Sequence, residues 1–210
     1  VDTGIFSPRK ASWKAVAEIQ GRYKGKKVLF YMANLNIASC LDSVMASVKY
    51  MRDSDAVLLV AGSGPLRKKY EKFAAKNGIT DRVIFLGQLK RSAAVNYIIA
   101  ADICLVYYTD NEVNRYRASM KLREYMAMAR PVVATCVGEI RQFRRYIYTS
   151  APNPRAFARE IDRRLKKLDN RAKKGYKLIR EKYDYGQEMR KFADFLKKLK
   201  GPDGQQKQAG

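Results

Sequence analysis

Residues 57–65 read Val-Leu-Leu-Val-Ala-Gly-Ser-Gly-Pro. Five consecutive apolar residues are too few for a helix. They fit a strand buried on both faces, since a half-wet strand would alternate. Gly62-Ser63-Gly64-Pro65 breaks the run and launches a charged helix near 66–77. The same unit recurs in both directions. Upstream, a short helix near 10–22 carries Trp13, Val16 and Ile19 on one face. Val28-Leu29-Phe30-Tyr31-Met32 is a second buried run, and apolar residues at 41, 44, 45, 48 and 51 follow at helical spacing. Downstream come a third strand, Arg82 to Leu86, ended by Gly87, and a helix near 91–100. A strand from Ile103 to Tyr107 and a long polar loop near 108–118 follow. A helix from Lys121 to Ala129, a strand from Pro131 to Thr135 and a weaker strand, Tyr146-Ile147-Tyr148, complete the alternation.

Continuous apolar strands alternating with helices predict an α/β fold: a Rossmann-like, doubly wound parallel sheet covered on both faces. There is no GxGxxG turn, which argues against a dinucleotide dehydrogenase. Residues 1–8 read as a linker, 9–152 as the sheet domain, and 153–200 as basic helices. In that last part Phe157, Ile161, Leu165 and Leu168 form an apolar stripe, with Arg155, Arg159, Arg163 and Lys166 on another face. A final amphipathic helix near 186–199 carries Met189, Phe192, Leu196 and Leu199. The tail 201–210 has little apolar content and is expected to be disordered.

Composition narrows the function classes. The 210 residues suffice for one real core, and the 47% apolar content argues against disorder. No apolar run approaches the roughly 18 residues that span a bilayer. The three cysteines, Cys40, Cys104 and Cys136, are far apart and read as buried thiols. The chain has no histidine, so neither a zinc site of the usual kind nor a histidine base is expected, and no metal is assigned. The net charge of +23, from 43 Lys and Arg against 20 Asp and Glu, favours an anionic partner. A nucleoside diphosphate, a nucleic acid and an acidic membrane surface all fit, as does a solvated basic exterior with no partner. RNA-binding signatures and stacking aromatics are not evident, so nucleic acid is set aside.

In an open parallel sheet, ligands bind beyond the carboxyl ends of the strands. That rule selects the loops 33–39, 62–66, 87–90, 108–119 and 136–140. The longest, 108–119, ends at a helix start with Ser119 as a plausible N-cap. A helix N-terminus offers unpaired N–H groups and partial positive charge, which suit a diphosphate. Arg115, Arg117 and Lys121 add full charges beside it. Glu124 lies one turn further on, where a carboxylate can accept from two adjacent ribose hydroxyls. The same residues also suit a plainer role, with Glu124 favouring the helix dipole and the arginines solvated.

Four segments carry a family resemblance. Lys121 to Thr135, KLREYMAMARPVVAT, resembles the "KLxEYMAxGxPVVAT" segment of the GT4-type retaining glycosyltransferases, which have the GT-B fold. The opening resembles their "GVDxxxFxP" interdomain linker, and Gly62 to Pro65 their "GxGP" turn. Val83 to Gly87 followed by Ala101-Asp102-Ile103 resembles their "VxFLG…ADxxV" pair. The four occur in the family's order over residues 1–145.

The resemblance implies the C-terminal, donor-binding half of a two-domain enzyme. That enzyme would transfer a sugar from a nucleoside diphosphate sugar to an acceptor with retention, without an obligatory metal or other cofactor. Glu124 would hold the ribose, and the amides of Ser119, Met120, Lys121 and Leu122 would face the diphosphate with Arg115 and Arg117 nearby. Gly62, Gly64, Gly87, Gln88 and Leu89 would lie near the base. The missing N-terminal domain would supply the acceptor site, so this chain alone would be inactive. The expected location is cytoplasmic, with the basic segment 153–200 suited to the inner, anionic face of the cell membrane. Two departures stand out. Tyr116 occupies the place of a sugar-contacting glutamate, for which Glu112 or Asp110 would have to substitute. The loop 33–39 lacks the family's phosphate-binding Arg and Lys. A non-catalytic relative using the same fold for binding or assembly is the alternative that these departures favour.

Overall fold

The computed structural model describes residues 1–199, and the expected disordered tail 201–210 lies outside the described residues. Six parallel strands form one sheet in the order β3-β2-β1-β4-β5-β6. They are β1 (Lys27–Met32), β2 (Ala56–Ala61), β3 (Val83–Gly87), β4 (Ile103–Val106), β5 (Val132–Thr135) and β6 (Tyr148–Ser150). β1 is central, pairing with β2 along its whole length (Lys27 opposite Ala56 to Met32 opposite Ala61) and with β4 through Leu29 and Ile103. β2 is buried at all six positions, as a continuous apolar run requires.

Alternate residues of each strand serve two cores. Phe30, Leu59, Cys104 and Ala134 face one layer: α1 (Trp13–Arg22), α4 (Arg91–Ala100), α6 (Met120–Ala127) and α8 (Arg171–Lys182). Leu29, Leu58, Ile103 and Val133 face the other: α2 (Leu41–Tyr50), α3 (Arg67–Lys76) and α7 (Pro154–Lys166). The period of two along the strands and the apolar stripes on the helices make these layers. Helix starts are capped as their sequences suggest. Ser12 accepts from Ala15 N–H at 3.4 Å, and Asn153 from Ala156 N–H at 2.8 Å with Pro154 behind it.

Several boundaries differ from the sequence expectation. The loop 108–118 contains a short helix, α5 (Glu112–Arg115), because Asn111 caps it by accepting from Asn114 N–H at 2.9 Å. The last strand is Tyr148–Ser150 rather than 146–148. The amides of Tyr146 and Ile147 are both spent on Phe143 O, so sheet pairing starts later. Leu168 does not extend the α7 stripe: the helix stops at Lys166, Lys167 is extended, and Leu168 is exposed. Among the described residues, the segment expected as basic helices holds three, of which α7 and α8 place Phe157, Ile161 and Ile179 in the cores. The third, α9 (Tyr185–Leu199), leaves Met189, Phe192 and Leu196 exposed. The opening segment is packed down, with Phe6 buried and Val1 O accepting from Tyr185 N–H at 2.8 Å.

Two glycines should respond oppositely to a methyl group. Gly62 sits at φ 135, and a Cβ there would lie 1.7 Å from Ala33 O. Gly21 lies in α1, and a Cβ there meets nothing within 4 Å. Gly21→Ala is expected to stabilise the fold by about 0.5–1 kcal/mol. Gly62→Ala is expected to cost about 2 kcal/mol or more, through strain and a forced shift of the β1 loop. Thermal melts of both variants check this, and a Gly62→Ala melt matching the parent would show that the crossing is not rigid.

Candidate functional site

The strand order reverses beside β1. From β1 the chain winds outward through β2 to β3, then returns to β4 on the other flank and winds outward through β5 to β6. A crevice must open at that reversal, because the connecting helices diverge to opposite faces. Two adjoining clefts occupy it. One, of about 320 Å³, is lined by Met32, Ala33, Asn34, Gly62, Ser63, Gly64, Gln88 and Leu89. The other, of about 260 Å³, is lined by Asn34, Asn36, Ala38, Ser39, Tyr108, Arg117, Ala118, Met120 and Lys121. Asn34 lines both.

The glycines set the shape of the first cleft. Gly62 N–H donates to Gly87 O at 2.7 Å while its α-carbon presses on Ala33 O. Gly64, at φ 155, lies where a Cβ would be 2.5 Å from Leu35 O. Leu35 N–H donates to Ser63 O at 2.8 Å, so the loops after β1 and β2 run side by side, backbone against backbone. Ser63 Oγ donates to Gln88 Oε1 at 3.0 Å and links this floor to the loop after β3.

The start of α6 forms one wall of the second cleft. Ser119 is buried, and its hydroxyl accepts from Leu122 N–H at 3.3 Å. Glu139 accepts from Ser119 N–H at 3.0 Å. Of the four amides from 119 to 122, those of Met120 and Lys121 therefore have no partner among the described residues. Glu124 is partly buried one turn along, and its carboxylate makes no hydrogen bond among the described residues. Burial raises its pKa, opposed by the nearby charges of Lys121 and Arg91.

The cations divide into two groups. Arg117 donates to Ala38 O at 3.0 Å and stacks 5.1 Å from the Tyr108 ring centroid. Lys121 Nζ lies 5.3 Å from the Tyr31 centroid, and burial, aided by Arg117, depresses its pKa to about 8. Both stand in the second cleft, against the loop 33–39 that has no cation of its own. Arg115 instead pairs with Asp110 at 2.7 Å, and both are largely exposed. Glu112 is exposed on α5, and Tyr116 beside it is 87% exposed.

The structure thus gathers Lys121, Arg117, Glu124 and the α6 amides on one side, and Gly62, Gly64, Gln88 and Leu89 on the other. Two residues of the site escaped sequence reasoning. Asn34 sits in a selected loop but carries no charge to draw notice. Glu139 sits in the loop 136–140, yet its bond to Ser119 spans 20 residues and has no local signature. Among the described residues, no group of three or more Cys, Asp or Glu is arranged to hold a metal ion. No described helix is long and apolar enough to cross a membrane.

Comparison with known proteins gives one family match, "Glycosyl transferases group 1", over residues 26–167. No curated protein matches. Many solved structures share the fold. Sucrose-phosphate synthase from Thermosynechococcus elongatus superposes with a TM-score of 0.78 at 19% identity, over 95% of this chain and 51% of its own. The Anabaena protein Alr3699/HepE, solved in complex with UDP and glucose, gives 0.81 at 15% identity, over 94% of this chain and 55% of its own. The C-terminal domain of a glycosyl transferase group 1 family protein, LpcC, from Francisella tularensis gives 0.70 at 18% identity, over 88% and 99%. The chain spans about half the length of the first two structures.

Lys121 carries a stability consequence with a definite sign. Its folded pKa, about 8, lies below the ordinary 10.5. Below pH 8 the ammonium is charged in both states and the fold bears the whole desolvation cost. That cost shrinks as pH rises between 8 and 10.5 and is gone above. Lys121→Met keeps the aliphatic stem and removes the charge. The variant should be more stable than the parent by about 1–2 kcal/mol at pH 7, with the gap closing towards pH 10.5. Denaturant melts at pH 7, 9 and 10.5 test it, and a gap that does not narrow would rule out desolvation as the cause.

Proposed function

The chain belongs to the group 1 glycosyl transferases, and from that premise we propose that it is the donor-binding half of a two-domain GT-B enzyme. On this reading it binds a nucleoside diphosphate sugar and, with an N-terminal half that carries the acceptor site, transfers the sugar with retention. The chain alone binds the donor and transfers nothing. The observation that carries the reading is the pairing at one helix start: two amides without a partner among the described residues and two cations lining the cleft, beside a carboxylate one turn away that has no hydrogen bond among the described residues. Anion, then adjacent hydroxyls, is the order of groups along a nucleoside diphosphate.

In this assignment Glu124 accepts from the two ribose hydroxyls. The amides of Met120 and Lys121, with the Lys121 and Arg117 side chains, neutralise the diphosphate in the smaller cleft. The base occupies the larger cleft beside Gln88 and Leu89. The family adds phosphate cations from the loop after β1; here that loop has none, and Arg117 stands beside the Lys121 of the family segment instead. No metal is needed when developing phosphate charge is met by fixed N–H groups and cations. Asp110 is held by Arg115, which leaves Glu112 as the loop carboxylate available to a donor sugar in place of the glutamate that Tyr116 replaces.

The basic C-terminal helices support a second proposal, attachment to an anionic membrane. α9 leaves Tyr185, Met189, Phe192, Phe195 and Leu196 uncovered on one side, with Arg190, Lys191, Lys197 and Lys198 around them. Sedimentation with anionic vesicles should show binding that weakens from low to moderate salt. Equal binding to neutral vesicles would overturn the electrostatic part.

Calorimetry with nucleosides and their diphosphates tests the donor assignment. Glu124→Ala should weaken the preferred nucleotide about tenfold or more, and Glu124→Gln less, because an amide keeps one acceptor. Arg117→Ala and Lys121→Ala should weaken the diphosphate more than the bare nucleoside. Unchanged affinity in Glu124→Ala would refute the ribose role. A parent that binds no nucleotide at millimolar concentration would favour the non-catalytic alternative, which Tyr116 and the uncharged loop 33–39 support.

A further inference from the structure

The 3-10 turn Gly138–Phe143 brings a second carboxylate to the start of α6. Glu139 accepts the Ser119 N–H at 3.0 Å with one oxygen and pairs with the Arg123 guanidinium through the other. Arg123 is itself fixed, 5.8 Å from the Phe143 centroid and 5.2 Å from that of Tyr183. The two side chains are only 13% and 20% exposed, so the pair has little freedom to reorganise. Gly138 makes this reach available: a Cβ there, at φ 56, would lie 2.5 Å from Asn114 O and 2.7 Å from Arg115 O.

A carboxylate beside a proposed diphosphate subsite poses a problem of sign, because a bare negative charge would repel the ligand. Two observations remove it. Arg123 cancels the charge at contact distance, so little field remains at the cleft. Glu139 also takes the Ser119 amide, while those of Met120 and Lys121 have no partner among the described residues. By fixing Ser119, whose hydroxyl caps Leu122 N–H, it sets the direction in which those two amides point. We propose that Glu139 is a positioning residue that aims the α6 amides at the donor diphosphate while its own charge is silenced by Arg123. This inference rests on the donor-binding reading above and assigns it a residue that touches no ligand.

Placement and charge make opposite forecasts, which a set of three substitutions separates. Glu139→Ala removes both the acceptor and the charge. Glu139→Asp keeps the charge but withdraws the carboxylate by one methylene, out of reach of Ser119 N–H. Glu139→Gln keeps the acceptor and loses the charge. The readout is the affinity ratio of diphosphate over nucleoside, measured by calorimetry with uridine, guanosine and adenosine and their diphosphates. For the pair that the parent binds tightest, placement predicts a ratio about tenfold lower in the Ala and Asp variants. The Gln variant keeps the acceptor and leaves the Arg123 charge uncompensated, so its ratio should stay at or above the parent's, and nucleoside affinity should be unchanged throughout. A purely electrostatic carboxylate predicts a higher ratio in Ala and Gln and no change in Asp, and that result would overturn the proposal. If Glu139→Ala does not fold, Asp against the parent makes the same distinction. A parent with no preference for the diphosphate would refute the phosphate assignment itself. A parent with the preference, retained in Ala and Asp, would refute Glu139 alone.

Discussion

The backbone of Gly62 crosses the Ala33 carbonyl so closely that no side chain fits between them, and the geometry of the site follows from that contact. It brings the carboxyl ends of β1 and β2 together and continues through Gly64 against Leu35. A floor built of backbone leaves space above it that side chains would otherwise fill. The loop after β1 cannot move independently of the loop after β2, and Tyr31, Tyr70 and Arg117 all bond to its carbonyls from different elements. The site is therefore rigid on its strand side, and its chemistry has to arrive from the opposite wall, at α6.

On that wall the charges are held at some expense of stability. Lys121 is desolvated enough to lower its pKa to about 8, and Glu124 is buried enough to raise its own. Neither makes a close ion pair with the other, and Arg123 stays in contact with Glu139. Groups that a core would bury with full partners are here left partly unsatisfied. Such an arrangement is unfavourable for folding and favourable for a ligand that carries the missing partners, and strained or underpaired groups concentrate at functional sites for that reason.

Most of the fold was legible because its signals are local. Five apolar runs, from Val28–Met32 to Pro131–Thr135, read as buried strands with helical spacing beside them, and all five are strands, although β3 at the sheet edge is only partly buried beyond Val83. Legibility ended where a tertiary contact outweighed a local preference. Tyr146 and Ile147 have strand propensity, yet their amides are taken by Phe143 O, so β6 begins two residues later. The polar stretch at 112–115 becomes helical because Asn111 caps it, and Asn114 is buried by bonding back to Thr109 O at 3.0 Å. Arg115 and Arg117 are two residues apart and equally charged, and no pattern separates them. Only the structure sends one outward to Asp110 and the other inward to Ala38.

The departures from the family pattern take on a physical form once α6 and the loop 33–39 are seen together. Arg117 lies over the Tyr108 ring and donates to Ala38 O of that loop, and Lys121 lies over the Tyr31 ring, so both cations already stand against it. Two further cations there would raise repulsion in a space where one lysine is already close to losing its proton. Lys121 is shared with the family segment, so what sets this chain apart is the loop 33–39 without a cation of its own, against which Arg117 stands from the other wall. Cations packed into one cleft oppose one another, as Arg117 helps to lower the pKa of Lys121, so each further charge there would be harder to hold than the last.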